Sequence, residues 1–313
     1  MAQKASNGNM TLKELCDFYL RYQHAKVIAG ELTPKHHSDQ IGSLSKFMSF
    51  LGKGRRIKGI STLELQNYKR RLQNAYGSAH RPNLHIGVMK AMFHWARRNE
   101  ILEKVPNIDA ISKGKVVHQE RFTFDSEQIT KLLSAADVKM RAMIWLGLNC
   151  GLGCTDCARL KWKHLDFENG RVQLARNKTG VPRNLPLWPE TMDALRKVPR
   201  SGQLVFYTAE GHPWIRTLAK TAGDGSRWYT TVNAVTSMFS RLLKKARIYA
   251  PKGTGFYTLR RTAATLAARS GDPFAVQRLL GHVDLAMATR YVQDVSEQTD
   301  RVIGESRKYV LAG

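Results

Sequence analysis

Acidic residues are scarce in this chain: 25 Asp and Glu stand against 50 Lys and Arg in 313 residues, a formal charge of +25. Such an excess suits a polyanionic partner, because clustered Lys and Arg neutralise phosphates and release their counterions. Cysteine is scarce as well. Four cysteines do not make a disulfide framework, so a reduced, cytosolic setting is expected. No uninterrupted apolar run reaches the roughly 18 residues of a membrane span, and Met1 to Met10 lacks the apolar core of a secretion signal. Neither a membrane protein nor a secreted one is expected. Internal repeats and low-complexity tracts are also missing. What remains, 42% hydrophobic and 24% charged, is the balance of a globular protein with real cores. Its length fits about two domains.

The charge is not confined to a tail. Residues 1–105 hold 18 Lys and Arg against 7 Asp and Glu, a net of +11, which leaves +14 for the other 208. Both halves are basic, as two domains gripping one nucleic acid would be.

Residues 11–105 read as four helices. Leu12, Leu15, Phe18, Tyr19 and Tyr22 recur at helical spacing after Thr11. Thr33-Pro34 opens a second helix through Ile41, Leu44, Phe47, Met48 and Leu51, with Pro in its first turn. A turn from Gly52 to Gly59 carries Lys53, Arg55, Arg56 and Lys58. Ser61 with Glu64 forms a capping box for a third helix through Leu65, Tyr68 and Leu72. A fourth, from about Pro82 to Leu102, turns Leu84, Val88, Met92 and Trp95 inward. Residues 106–121 have weak periodicity and read as a linker. Residues 122–313 form the second domain and its tail.

In that second domain Asp125 caps a helix and an apolar helix spans Met140 to Leu148. A turn at Gly151 and Gly153 leads into a helix through Leu160. Arg171 to Leu187 alternates like strands around Asn177-Lys178-Thr179-Gly180, a hairpin signal. From Thr231 onward the chain reads as mostly helical, broken at Pro251–Gly255 and Gly281. The fold class expected is mainly α, with a small β-hairpin or sheet in the second domain.

Near the C-terminal end, Tyr257-Thr258-Leu259-Arg260-Arg261-Thr262 precedes Leu279-Leu280-Gly281-His282, and Tyr291 follows that histidine by nine residues. With Trp162 after the Gly-Leu turn and Lys178-Thr179-Gly180 in the hairpin, this pattern resembles the tyrosine recombinase (phage integrase) family. The resemblance covers nearly the whole chain. It implies a C-shaped two-domain clamp on double-stranded DNA and site-specific recombination by four protomers on two sites. It implies no cofactor, no metal and no membrane, and a location in the cytoplasm on the nucleoid.

The chemistry explains the residue types. A tyrosine phenol that attacks a phosphodiester stores the bond as a 3′-phosphotyrosyl link, so resealing requires no nucleotide. Charge gathers on the phosphate oxygens, and fixed cationic donors must face it. Arginine's planar fork meets two oxygens at once, and another group must protonate the leaving 5′ oxygen. By motif position the resemblance makes Tyr291 the nucleophile, Arg260 the second catalytic arginine, His282 a phosphate or tyrosine partner, and Lys178 the general acid. Asp156 matches an acidic position of structural use. DNA contacts are expected from Arg55, Arg56, Lys58, Arg176, Arg183 and Arg261.

Two positions depart from the family. Gly153 stands where it has an arginine, and Tyr257 where it usually has histidine. A phenol with pKa of about 10 hydrogen-bonds a phosphate but is a poor base near neutrality. Arg159, Arg176, Arg183 and Arg261 are the guanidinium groups that sequence offers as a substitute at 153, with the hairpin pair favoured. Cys150, Cys154 and Cys157 share the spacing of iron–sulfur ligands in radical enzymes, but no repeating βα pattern accompanies them; they read as small core residues. Two other functions fit the same features: DNA relaxation of the type IB topoisomerase kind, and a catalytically impaired DNA-binding relative.

Overall fold

The computed structural model describes residues 10–116, 122–177, 179–221, 227–269 and 272–286. The chain divides into two compact units: residues 1–119 with 217–231, and 120–216 with 232–313.

The first unit is built on four helices, α1 (Leu12–Ile28), α2 (Pro34–Leu51), α3 (Thr62–Ala75) and α4 (His80–Arg98). Their starts are set by side chains. Thr11 with Glu14 and Ser61 with Glu64 form reciprocal capping boxes, and Thr33 caps α2 ahead of Pro34. Leu12, Leu15, Leu44, Phe47, Leu65, Ile86, Met92 and Phe93 are buried together in one core. Three residues expected inside are not. Phe18 and Tyr22 are half exposed, with the Arg21 guanidinium and the Lys26 ammonium over their rings. Leu84 is exposed because the buried face in the first turns of α4 runs through Pro82, His85 and Ile86. Part of the segment read as a linker is packed: Ile108 and Ile111 belong to this core.

The second unit surrounds α6 (Val138–Asn149), whose faces are buried nearly all round. Beside it lie α5 (Ser126–Ala135), α8 (Pro189–Arg196) and α10 (Tyr257–Ala268), while α9 (Ala234–Lys245) packs on α5. A three-stranded antiparallel sheet, β1 (Leu165–Asp166), β2 (Arg171–Ala175) and β3 (Pro182–Pro186), runs in sequence order with Ala175 opposite Pro182. The helix expected through Leu160 is shorter: α7 spans only Cys154–Ala158, and Arg159 is its C-cap. A second sheet, most of it in the 217–231 stretch that belongs to the first unit, is not expected from the sequence. β4 (Ile215–Thr221) and β5 (Arg227–Asn233) pair with each other, so the expected helix from Thr231 begins at Ala234 instead. Finally α11 (Pro273–Leu280) ends on Gly281, whose left-handed backbone closes the turn. Among the described residues no helix is long and apolar enough to cross a membrane.

Candidate functional site

The site forms in the second unit where the start of α10, the end of α11, the Gly151–Gly153 turn and the β2–β3 hairpin meet. Arg260, one turn into α10, is 1% exposed. Its Nη1 donates to the Gly151 carbonyl and its Nη2 to the Leu280 carbonyl, and Nη2 lies 3.3 Å from Nε2 of His282. These carbonyls fix the guanidinium plane. Burial lowers the Arg260 pKa most; Tyr257 counters it, while the charges of Arg176 and Arg183 add to it. His282 is also buried, and its backbone N–H donates to the Gln277 carbonyl. The structure therefore brings Arg260 and His282 together.

The hairpin reaches the same turn. Arg176 Nη1 and Thr179 Oγ1 both donate to the Gly281 carbonyl at 3.1 Å. Gly281 serves twice here. Its φ of +60° favours glycine, and a Cβ would stand 3.1 Å from Cδ of Arg183 and 3.3 Å from Cβ and Cδ of Arg176. Both hairpin arginines cross its bare backbone. Arg183 is buried, with Nη2 3.3 Å from Oδ2 of Asp156. Asp156 Oδ2 also accepts from the Gly153 backbone N–H at the start of α7, a structural duty.

The other expected residues divide. Tyr257 opens α10, is 39% exposed, and its ring lies 3.6 Å from where a Cβ on residue 153 would stand. Arg261 is buried and donates to Thr258 Oγ1, within its own helix. Arg159 is exposed and donates to Asn177 Oδ1 in the hairpin loop. In the first unit Arg55 is paired with Glu64 at 3.0 Å, which answers its charge locally; Arg56 and Lys58 are exposed. Tyr291 and Lys178 lie outside the described residues, although Asn177 and Thr179 on either side of position 178 hold the contacts given above.

Cys150 and Cys157 are buried and Cys154 partly so, and burial raises all three thiols, Cys150 to about 12. They line the core beneath the turn, as expected of small apolar residues. Sequence reasoning missed the Gly151 and Leu280 carbonyls and the seat at Gly281. Only the last had a signal, a glycine just past an apolar helical stripe.

Comparison with known proteins places these elements in a wider group. The model of the phage integrase family matches residues 123–298. Tyrosine recombinase XerD of Ralstonia nicotianae is 28% identical over 256 residues, covering 79% of each chain. A lambda integrase dimer bound to a COC′ core site superposes with a TM-score of 0.72 at 19% identity, over 92% of this chain and 79% of that one. The Tn1549 transposon integrase in complex with transposon right end DNA gives 0.67 at 20% identity, over 95% and 99%.

Proposed function

Since the chain belongs to the phage integrase family of tyrosine recombinases, we propose that it recombines DNA at specific sites through Tyr291. The Tyr291 oxygen gives up its proton to solvent and bonds to the scissile phosphorus as the bond to the 5′ oxygen breaks. Lys178 gives that oxygen its proton. Arg260 and His282 donate to the non-bridging oxygens, where negative charge concentrates. The reverse attack by a 5′ hydroxyl on the phosphotyrosine reseals the strand and frees the enzyme.

One observation carries the reading: Arg260 in α10 and His282 just past α11, both buried, hold their side-chain nitrogens 3.3 Å apart. Such buried donors keep their orientation while charge develops, which water cannot do. Supporting it, the matched span includes Lys178, Arg260, His282 and Tyr291. We assign residues 1–105 and 122–313 to two DNA-gripping domains of a clamp, mainly through phosphate contacts. Assembly as a tetramer on two sites has a parallel in the lambda integrase tetramer bound to a Holliday junction. The working place is the cytoplasm, on the nucleoid.

Gly153 and Tyr257 favour a second reading, an impaired relative that binds DNA without cutting it. A suicide duplex nicked beside the attack point separates the two. The recombinase forms a covalent protein–DNA adduct, and Tyr291→Phe retains binding but forms none. Binding without any adduct marks the impaired relative.

A further inference from the structure

We propose that Arg176 supplies the phosphate-facing guanidinium that the turn at Gly153 lacks; this rests on the recombinase reading above. The turn itself supplies no substitute. Gly153 offers no side chain, and the ring of Tyr257 stands in van der Waals contact with the place a Cβ would occupy. The charge has to arrive from another element, and the β2–β3 hairpin is the one that crosses the Gly281–His282 turn.

Of the four arginines near the turn, three are spoken for. Arg183 is answered by the Asp156 carboxylate. Arg261 is turned into α10 toward Thr258, and Arg159 reaches out to Asn177 at the hairpin tip. Arg176 differs. Its stem crosses Gly281, next to His282, and the Gly281 carbonyl takes only one of its five donors. It is partly exposed, and its charge bears directly on Arg260. Arg176, Arg183 and Arg260 thus set three cations against one carboxylate, Asp156. Like charges gathered this way favour an anion in their midst, and a phosphodiester in the transition state carries the charge to meet them. Gly281 suits the arrangement, because its left-handed backbone disfavours other residues and a Cβ there would crowd the stem of Arg176 at 3.3 Å.

The test is single-turnover adduct formation by the full chain on the suicide duplex, with DNA affinity and thermal unfolding followed in parallel. Arg176→Gln keeps a donor for the Gly281 carbonyl but not the charge. It should lower the rate about a hundredfold, while affinity falls by only a few-fold and unfolding stays unchanged. Adding Gly153→Arg, which the ordinary φ of −88° allows, should recover at least tenfold. On a duplex with a neutral methylphosphonate at the scissile position, the penalty of Arg176→Gln should shrink, because the charge it answers is gone. A rate within about threefold of wild type overturns the proposal. So does a wild type that forms no adduct while Gly153→Arg alone forms one, for the loss at 153 is then uncompensated. Wild type and Gly153→Arg both silent would instead sink the recombinase reading.

Discussion

In the first unit no described Lys or Arg is buried, whereas in the second Arg183, Arg260 and Arg261 all are. The buried polar groups of the first unit are His37, Gln40, Ser43 and His85, none of them a permanent charge. Position decides what a charge can do. A cation in water is screened within about 10 Å at ordinary salt and tolerates many phosphate geometries, which suits holding DNA. A cation fixed among carbonyls in a poorly hydrated site acts strongly on one spot, which suits chemistry. That contrast fits the proposed division of grip to the first unit and reaction centre to the second.

Four changes probe this contrast, in order of falling effect. Arg260→Ala should slow adduct formation by about a thousandfold and also destabilise, since the Gly151 and Leu280 carbonyls lose their donors. A mutant that cleaves normally would make the buried arginine merely structural. Asp156→Asn strands the Arg183 charge in the interior and should cost about 3 kcal/mol in urea unfolding; a loss below about 1 kcal/mol would mean that water reaches the pair.

The third change is of pH. Burial holds the His37 and His85 imidazoles below their ordinary value, so the folded state favours their neutral forms. Their stabilisation is complete above pH of about 6.5 and is lost as pH falls through the depressed values, by at most about 1.4 kcal/mol per pH unit for each histidine. Unfolding midpoints from pH 7.5 to 5 check this, and His37→Phe should flatten the slope. The smallest effect belongs to the exposed grip: Lys58→Ala should change stability by less than about 0.5 kcal/mol, leave cleavage of bound DNA unaltered, and reduce the salt slope of binding by about one. Arg55→Ala should move that slope less, because Glu64 already answers its charge.

Local rules made much of the fold legible. Ser61 with Glu64 marks a capping box and Asp125 a cap, and the structure forms both; at Thr11 and Asp125 it adds boxes with Glu14 and Gln128. The β4–β5 pair is not legible in the sequence because its first strand carries Thr217, Lys220 and Thr221 with little apolar alternation. At the site, Arg260 and His282 were legible because short, fixed spacing joins them. The pairing of Arg183 with Asp156 was not, since 27 residues of sheet and turn separate the partners. Nor was the fate of Arg159. Its direction was expected from a regular helix, and α7 stops one residue before it.

The account stands or falls on which oxygen takes the phosphate. The adduct trapped on a suicide duplex can be digested with protease, and the DNA-linked peptide sequenced by mass spectrometry. Tyr291 should carry the 3′-phosphate and Tyr257, the half-exposed phenol beside Gly153, none. A phosphate on Tyr257, or DNA bound tightly with no covalent peptide at all, would contradict it.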